Sequence, residues 1–100
     1  MTTTISKNEQ ELTVKVDGQL DAVTSEEFLQ TIEQELKDIQ TILIDCAGLT
    51  YISSAGLRAL IALSNDLGDQ DGALRLRNVG EQVAEVLKLT GMDELFPIID

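Results

Sequence analysis

The chain has 100 residues, 43% of them apolar, with 18 acidic against 7 basic side chains, a formal net charge of −11 and no histidine. That is enough for one compact domain over residues 1–100 with a modest core. It is too acidic for nucleic acid or an anionic membrane surface, both of which need clustered Lys and Arg. With Cys46 as the single cysteine, the chain lacks the usual neutral-pH general base, His-paired nucleophiles, a zinc set and an internal disulfide. No run approaches the ~18 apolar residues of a membrane span. The start, Met1 to Lys7, lacks the basic-then-apolar layout of a signal peptide. A cytoplasmic domain without membrane insertion is therefore expected, and one free cysteine fits that compartment. Phosphate-binding and nucleophile-elbow motifs are missing from the sequence. No enzyme, metal or cofactor is expected, and such an acidic surface favours basic protein partners.

Residues 2–8 suit a short edge strand. From Glu11 to Asp17 the chain alternates, with Leu12, Val14 and Val16 on one face and charged or polar residues on the other, as in a strand with one buried face. Asp17-Gly18 punctuates it. Thr24 followed by Glu27 reads as a capping box, and Phe28, Leu29, Ile32 and Leu36 then recur at helical spacing, predicting a helix over about 25–38. Thr41 to Asp45 is short, apolar and β-branched, which predicts a strand covered on both faces. A short polar loop is expected after it. A second helix opens at Ser53 and Ser54, with Leu57, Leu60, Ile61 and Leu67 on its apolar face and Gly68 as its C-cap. Asp71-Gly72 predicts a turn, Ala73 to Asn78 alternates as a further strand, and Glu81 to Thr90 forms a third helix ended by Gly91. The apolar tail, Leu95 to Ile99, is expected to pack back onto the domain. The order β-β-α-β-α-β-α predicts an α/β fold, a mixed sheet of about four strands with three or so helices and a parallel portion built by right-handed crossovers. One sheet face is expected to be only partly covered.

The junction at residues 45–58 concentrates the functional signal. A strand feeding a helix through two serines places small hydroxyl side chains at a helix N-terminus, where free N–H groups and the helix dipole favour negative charge. One serine can serve as an ordinary cap. The other is a candidate for phosphorylation, which adds about −1.5 to −2 charge. Arg58, one turn beyond Ser54, is within reach of such a phosphate or is simply a surface arginine. Cys46 reads as a small buried residue.

Three segments in register carry a family resemblance. Ile42 to Arg58 resembles the strand-loop-helix signature of anti-sigma factor antagonists, the STAS domains. Gly18-Gln19-Leu20-Asp21 followed by Thr24 resembles the segment that precedes the family's first helix. Val86 to Met92 with Leu95-Phe96 resembles its closing helix and turn. The resemblance implies a single STAS-like domain that switches partners. It implies binding to an anti-sigma factor with serine kinase activity, release on phosphorylation of Ser54 (Ser53 is the second choice) and restoration by a serine phosphatase. It places Asp21, Ser53, Ser54, Gly56, Leu57 and Arg58 at the partner surface. Ser53 stands where the family usually keeps an aspartate, Ala55 replaces a second hydroxyl residue, and Arg58 replaces a common glycine. The first departure leaves a second role open, a STAS scaffold subunit of a transport or secretion-control complex without phosphorylation. An anion-binding domain using the same helix end is the third alternative.

Overall fold

The computed structural model describes residues 1–68 and 73–99. The turn expected at Asp71-Gly72 lies outside the described residues. Strand β1 (Thr2–Asn8) and strand β2 (Glu11–Leu20) form an antiparallel hairpin, followed by helix α1 (Ser25–Glu33) and strand β3 (Thr41–Ile52). Helix α2 (Ser54–Asp66), strand β4 (Leu74–Arg77), helix α3 (Glu81–Thr90), the single turn α4 (Met92–Leu95) and the short strand β5 (Ile98–Ile99) complete the chain. The sheet order is β1-β2-β3-β4-β5, antiparallel only between β1 and β2. The expected α/β architecture is present, with five strands and four helices described where about four and three were expected. The tail supplies both additions. Phe96 is fully buried, which draws α4 and β5 onto the domain, and the Leu76 amide donates to the Pro97 carbonyl at 2.9 Å.

The core lies between one face of the sheet and the helices. Leu12, Val14 and Val16 of β2, Ile42 and Ile44 of β3, and Leu74 and Leu76 of β4 meet Phe28 and Ile32 of α1, Leu60 and Leu63 of α2, and Val83 and Leu87 of α3. The period-2 pattern of the strands and the 3.6-period pattern of the helices aim these side chains inward. The other sheet face is polar. There Lys15, Asp45 and Arg77 stand side by side across β2, β3 and β4. Arg75 of β4 reaches over β3 to Glu11 of β2, with Nη2 at 2.6 Å from Oε2. Leu43 lies between Thr13 and Arg75 in register and is only 8% exposed, yet it stands outside the core cluster. The two-sided cover expected for this strand therefore comes from neighbouring side chains on the outer face rather than from a second hydrophobic layer.

Three local expectations are corrected. The residues after Asp45 are not a loop: β3 continues to Ile52 because β2 continues to Leu20 beside it, pairing Asp17 with Gly48, Gly18 with Leu49 and Leu20 with Ile52 across two register shifts. Gly18 absorbs part of the irregularity at φ 116°, a conformation open to glycine. The first helix ends at Glu33, short of residue 38, with two acids in its first turn and no base in its last. A helix C-terminus without a cation and with Glu33 and Glu35 beside it is electrostatically poor. Finally, the capping box does not form. Thr24 already has helical dihedrals, φ −95° and ψ −21°, and its side chain makes no cap bond.

The ends of α1 and α2 bring two acids together. The Glu33 carboxyl is raised above its ordinary value by the hydrogen bond it shares with Asp66, by burial and by that residue's charge. A carboxyl whose folded-state pKa is raised favours the protonated form, so the ionised pair opposes folding above that range and ceases to do so below it. Glu33→Gln is expected to raise the midpoint of urea unfolding at pH 7, with the gain shrinking as pH falls toward 4.5, the ordinary glutamate value, and absent below it. An equal gain at pH 7 and pH 3.5 would contradict this account.

Candidate functional site at the start of helix α2

Leu20 ends β2 and Ile52 ends β3 in register with it, so both strands stop at the same rim of the sheet. Ser53 follows in extended conformation, φ −100° and ψ 177°. Its amide donates to the Leu20 carbonyl at 2.9 Å. Its Oγ accepts from the Gly56 amide at 3.3 Å, and its carbonyl accepts from the Leu57 amide at 2.9 Å. Ser53 is thus a true N-cap and satisfies one of the donors a helix start leaves free. Ser54 is the first residue of α2 and is exposed, whereas Ser53 is half-buried.

Gly56 is buried against the end of β2. A Cβ placed there would come within 2.7 Å of the Leu20 carbonyl oxygen and 2.8 Å of Ile52 Cγ1. No side chain fits without moving backbone. Leu57 is 6% exposed and belongs to the core. Gly56 and Leu57, expected at a partner surface, are therefore interior: they seat the helix from below, and what faces outward is Ser54, Arg58 and part of Ser53.

Asp21 forms the other lip of the site. Its Oδ1 accepts from the Val23 amide at 3.0 Å and the Thr24 amide at 3.1 Å, and its carbonyl accepts from the Ser25 amide at 2.9 Å. Asp21 thereby takes the Thr24 amide that the capping box assigned to Glu27. The Thr24 hydroxyl instead accepts from the Asp21 amide at 3.0 Å and donates to the Gln19 carbonyl at 2.8 Å, tying the loop to the end of β2. The Thr24 amide, foremost among these donors, holds the Asp21 carboxyl below its ordinary value. Short polar residues that bond neighbouring backbone are suited to such turns.

Two grooves flank the serines. One, of about 260 Å³, lies between α1 and α2 and is lined by Ser25, Glu26, Leu29, Ala55, Arg58 and Ala59. The other, of about 290 Å³, lies between the end of β3 and α3, with Tyr51, Ile52, Val83, Val86 and Leu89 among its lining residues. Val23 is 87% exposed, Leu89 79% and Tyr51 48%. These outward apolar side chains escaped the sequence reading, because helical and strand periodicity mark inward residues and leave the remainder unlabelled.

Cys46 is buried, and burial pushes its thiol up to about 12, so it is a packing residue and not a nucleophile. Among the described residues no group of three or more His, Cys, Asp or Glu is placed to hold a metal ion. Among the described residues no helix is long and apolar enough to cross a membrane.

A five-stranded mixed sheet, parallel crossovers and a serine-bearing helix seated at the strand ends define a small single-sheet α/β domain. The chain belongs to the STAS domain family, whose model matches residues 2–100. A STAS-domain containing protein of Pseudomonas aeruginosa is 26% identical over 93 residues, spanning 93% of this chain and 92% of that protein. The anti-sigma-B factor antagonist of Bacillus subtilis is 24% identical over 97 residues, spanning 94% of this chain and 86% of its own. Among solved structures, an anti-sigma factor antagonist from Mycobacterium paratuberculosis superposes with a TM-score of 0.84 at 28% identity, over 97% of this chain and 83% of that one. The fold is also that of the Bacillus cell fate determinant SpoIIAA in its phosphorylated form, TM-score 0.73 at 16% identity over 99% of this chain and 92% of that one.

Two outcomes test the site's construction. Ser53→Ala is expected to lower unfolding free energy by about 1 kcal/mol, the worth of an N-cap. Gly56→Ala is expected to lower it by about 1–3 kcal/mol, although alanine is intrinsically the better helix former; a stabilised Gly56→Ala protein would overturn the close approach to Leu20. A pH series tests the loop. The Asp21 carboxyl and that of Asp45, which accepts from Asn78 and Ala47, are both lowered from 3.8. A lowered folded-state pKa contributes stability that is present above the unfolded value and lost as pH falls through the folded one. Stability should therefore fall on acidification below about pH 4, and Asp21→Asn should make that fall shallower; an unchanged acid limb would contradict the role given to Asp21.

Proposed function

We propose that this protein is an anti-sigma factor antagonist that works by partner switching, without catalytic chemistry of its own. In the unmodified state the surface around Ser54, Arg58 and Asp21 docks on an anti-sigma factor with serine kinase activity in the cytoplasm, and a sigma factor is released. Transfer of the γ-phosphoryl group of ATP to Ser54 Oγ ends the complex, and hydrolysis by a serine phosphatase restores the docking form. The observation that carries this reading is the division of labour between the two serines: Ser53 Oγ accepts the Gly56 amide in a half-buried cap, while Ser54 is exposed at the first position of α2. A kinase reaches Ser54 without dismantling the helix start. The names of the B. subtilis and M. paratuberculosis relatives support the same reading.

The energetics suit a switch. A phosphate brings about −1.5 to −2 charge. In the free protein it stays in water near amide donors. In an interface built around a neutral hydroxyl it would be desolvated without a partner, at a cost of about 3 kcal/mol, which is more than a hundredfold in affinity. Charge also suits the partner: α1 carries Glu26, Glu27 and Glu33 and no base, so a basic surface on the anti-sigma factor would meet it.

A scaffold subunit of a transport or secretion-control complex is the second reading. It is favoured by Ser53, which fills the usual aspartate position and is fully used as a cap. The deciding experiment measures binding to the anti-sigma factor kinase for the wild type, Ser54→Glu and Ser54→Ala. Affinity is expected to fall at least a hundredfold for Ser54→Glu and to stay within severalfold for Ser54→Ala. Equal affinity for all three, or co-purification with a transporter ATPase and no phosphate uptake, would favour the scaffold.

A further inference from the structure

Arg58 is the only base in α1 and α2. It is exposed, and among the described residues it forms no ion pair, although the chain is strongly acidic. It forms one wall of the groove between these helices, with Glu26 on the other wall and Ser25, Leu29, Ala55 and Ala59 between. Glu26 is engaged on its own helix, accepting from Gln30 Nε2 at 3.4 Å. The groove is thus a small cleft with one base on the α2 side, one acid on the α1 side and neutral residues between. Arg58 is also four residues beyond Ser54 on the same helix. Side chains at i and i+4 lie on one face within reach of each other, and an acid preceding a base is the favourable order. A guanidinium is suited to bidentate contact with phosphate.

We infer that Arg58 is a two-position side chain: in the unmodified protein it is the basic wall of the α1–α2 groove, and when Ser54 carries a phosphate it turns onto that phosphate and leaves the groove with Glu26 as its one charge. The modification then changes the docking surface twice. It adds negative charge at Ser54, and it removes the single positive charge that an acidic side chain of the partner would find in the groove. The groove's occupant is the anti-sigma factor, which must present an acidic side chain to Arg58. The biological meaning rests on the reading of Ser54 given above, but the pairing itself does not depend on any kinase.

The test uses the full chain with phosphoserine installed at position 54 during synthesis, so that the result stands whether or not a kinase modifies this residue. Phosphorus NMR follows the second ionisation of the phosphate in the wild type, Arg58→Gln and Lys37→Gln. The last removes the same unit of charge from a distant loop and controls for net charge. An i, i+4 charge pair is worth a few tenths of a kcal/mol, so Arg58→Gln is expected to raise the phosphate pKa by roughly 0.2–0.4 unit, and Lys37→Gln by much less. Amide resonances of Ser25 and Leu29, which line the groove, should shift between the serine and phosphoserine forms in the wild type and move far less in Arg58→Gln. A phosphate pKa unchanged by Arg58→Gln, or changed equally by Lys37→Gln, would overturn the inference while leaving Ser54 as the switch. Undiminished binding of Ser54→Glu to the anti-sigma factor kinase would remove the functional reading while leaving the pairing intact.

Discussion

The carbonyl of Leu20 is the point on which the rest of this molecule depends. It accepts the Ser53 amide at 2.9 Å, and a Cβ on Gly56 would stand 2.7 Å from it. One backbone group at the end of β2 therefore fixes both the cap and the first turn of α2. Only glycine allows the helix to come so close, and the close approach sets the direction in which the next residues point. Leu57 turns into the core, while Ser54 and Arg58 turn out. The exposed serine is a consequence of the packing beneath it. The neighbouring lip obeys the same logic, since the Thr24 hydroxyl donates to Gln19 and Asp21 closes its own turn.

Charge is divided between the two sides of the sheet. On the outer face Glu11 meets Arg75, and Asp45 lies between Lys15 and Arg77, so that face is close to neutral. Glu26, Glu27 and Glu33 of α1, Glu81 and Glu85 of α3, and Asp93 and Glu94 of α4 place the excess of acid on the helical side. A partner approaching the α2 start meets a negative field interrupted at Arg58. Exposed ion pairs on the outer face contribute little to stability. The negative field of the helical side would steer a basic partner at long range.

Most of the fold was legible because burial follows period. Leu12, Val14 and Val16 alternate, Val83 and Leu87 lie one turn apart, and both sets face the core. The extent of β3 was not legible, because Ala47 and Gly48 break the apolar β-branched run, and the residues after them became strand through pairing with Asp17 to Leu20, a long-range event that no local pattern records. The capping box failed for a related reason: Thr24 and Glu27 have the right spacing, but Asp21, three residues earlier, takes the Thr24 amide that Glu27 would have accepted. At the site, the resemblance to the family drew attention to the junction at residues 45–58. It could not separate Gly56 and Leu57, which are interior, from Ser54 and Arg58, which are exposed. Helical period already marked Leu57 as inward, but the burial of Gly56 depends on the distance between Leu20 and α2, which is a property of the packed chain.

The most direct measurement is site-resolved mass spectrometry of the wild type, Ser53→Ala and Ser54→Ala after incubation with ATP and the anti-sigma factor kinase. The account predicts phosphate on Ser54 in the wild type and in Ser53→Ala, and none in Ser54→Ala. Phosphate on Ser53 in the wild type, or an unmodified Ser54 in a complex that forms and dissociates normally, would contradict it.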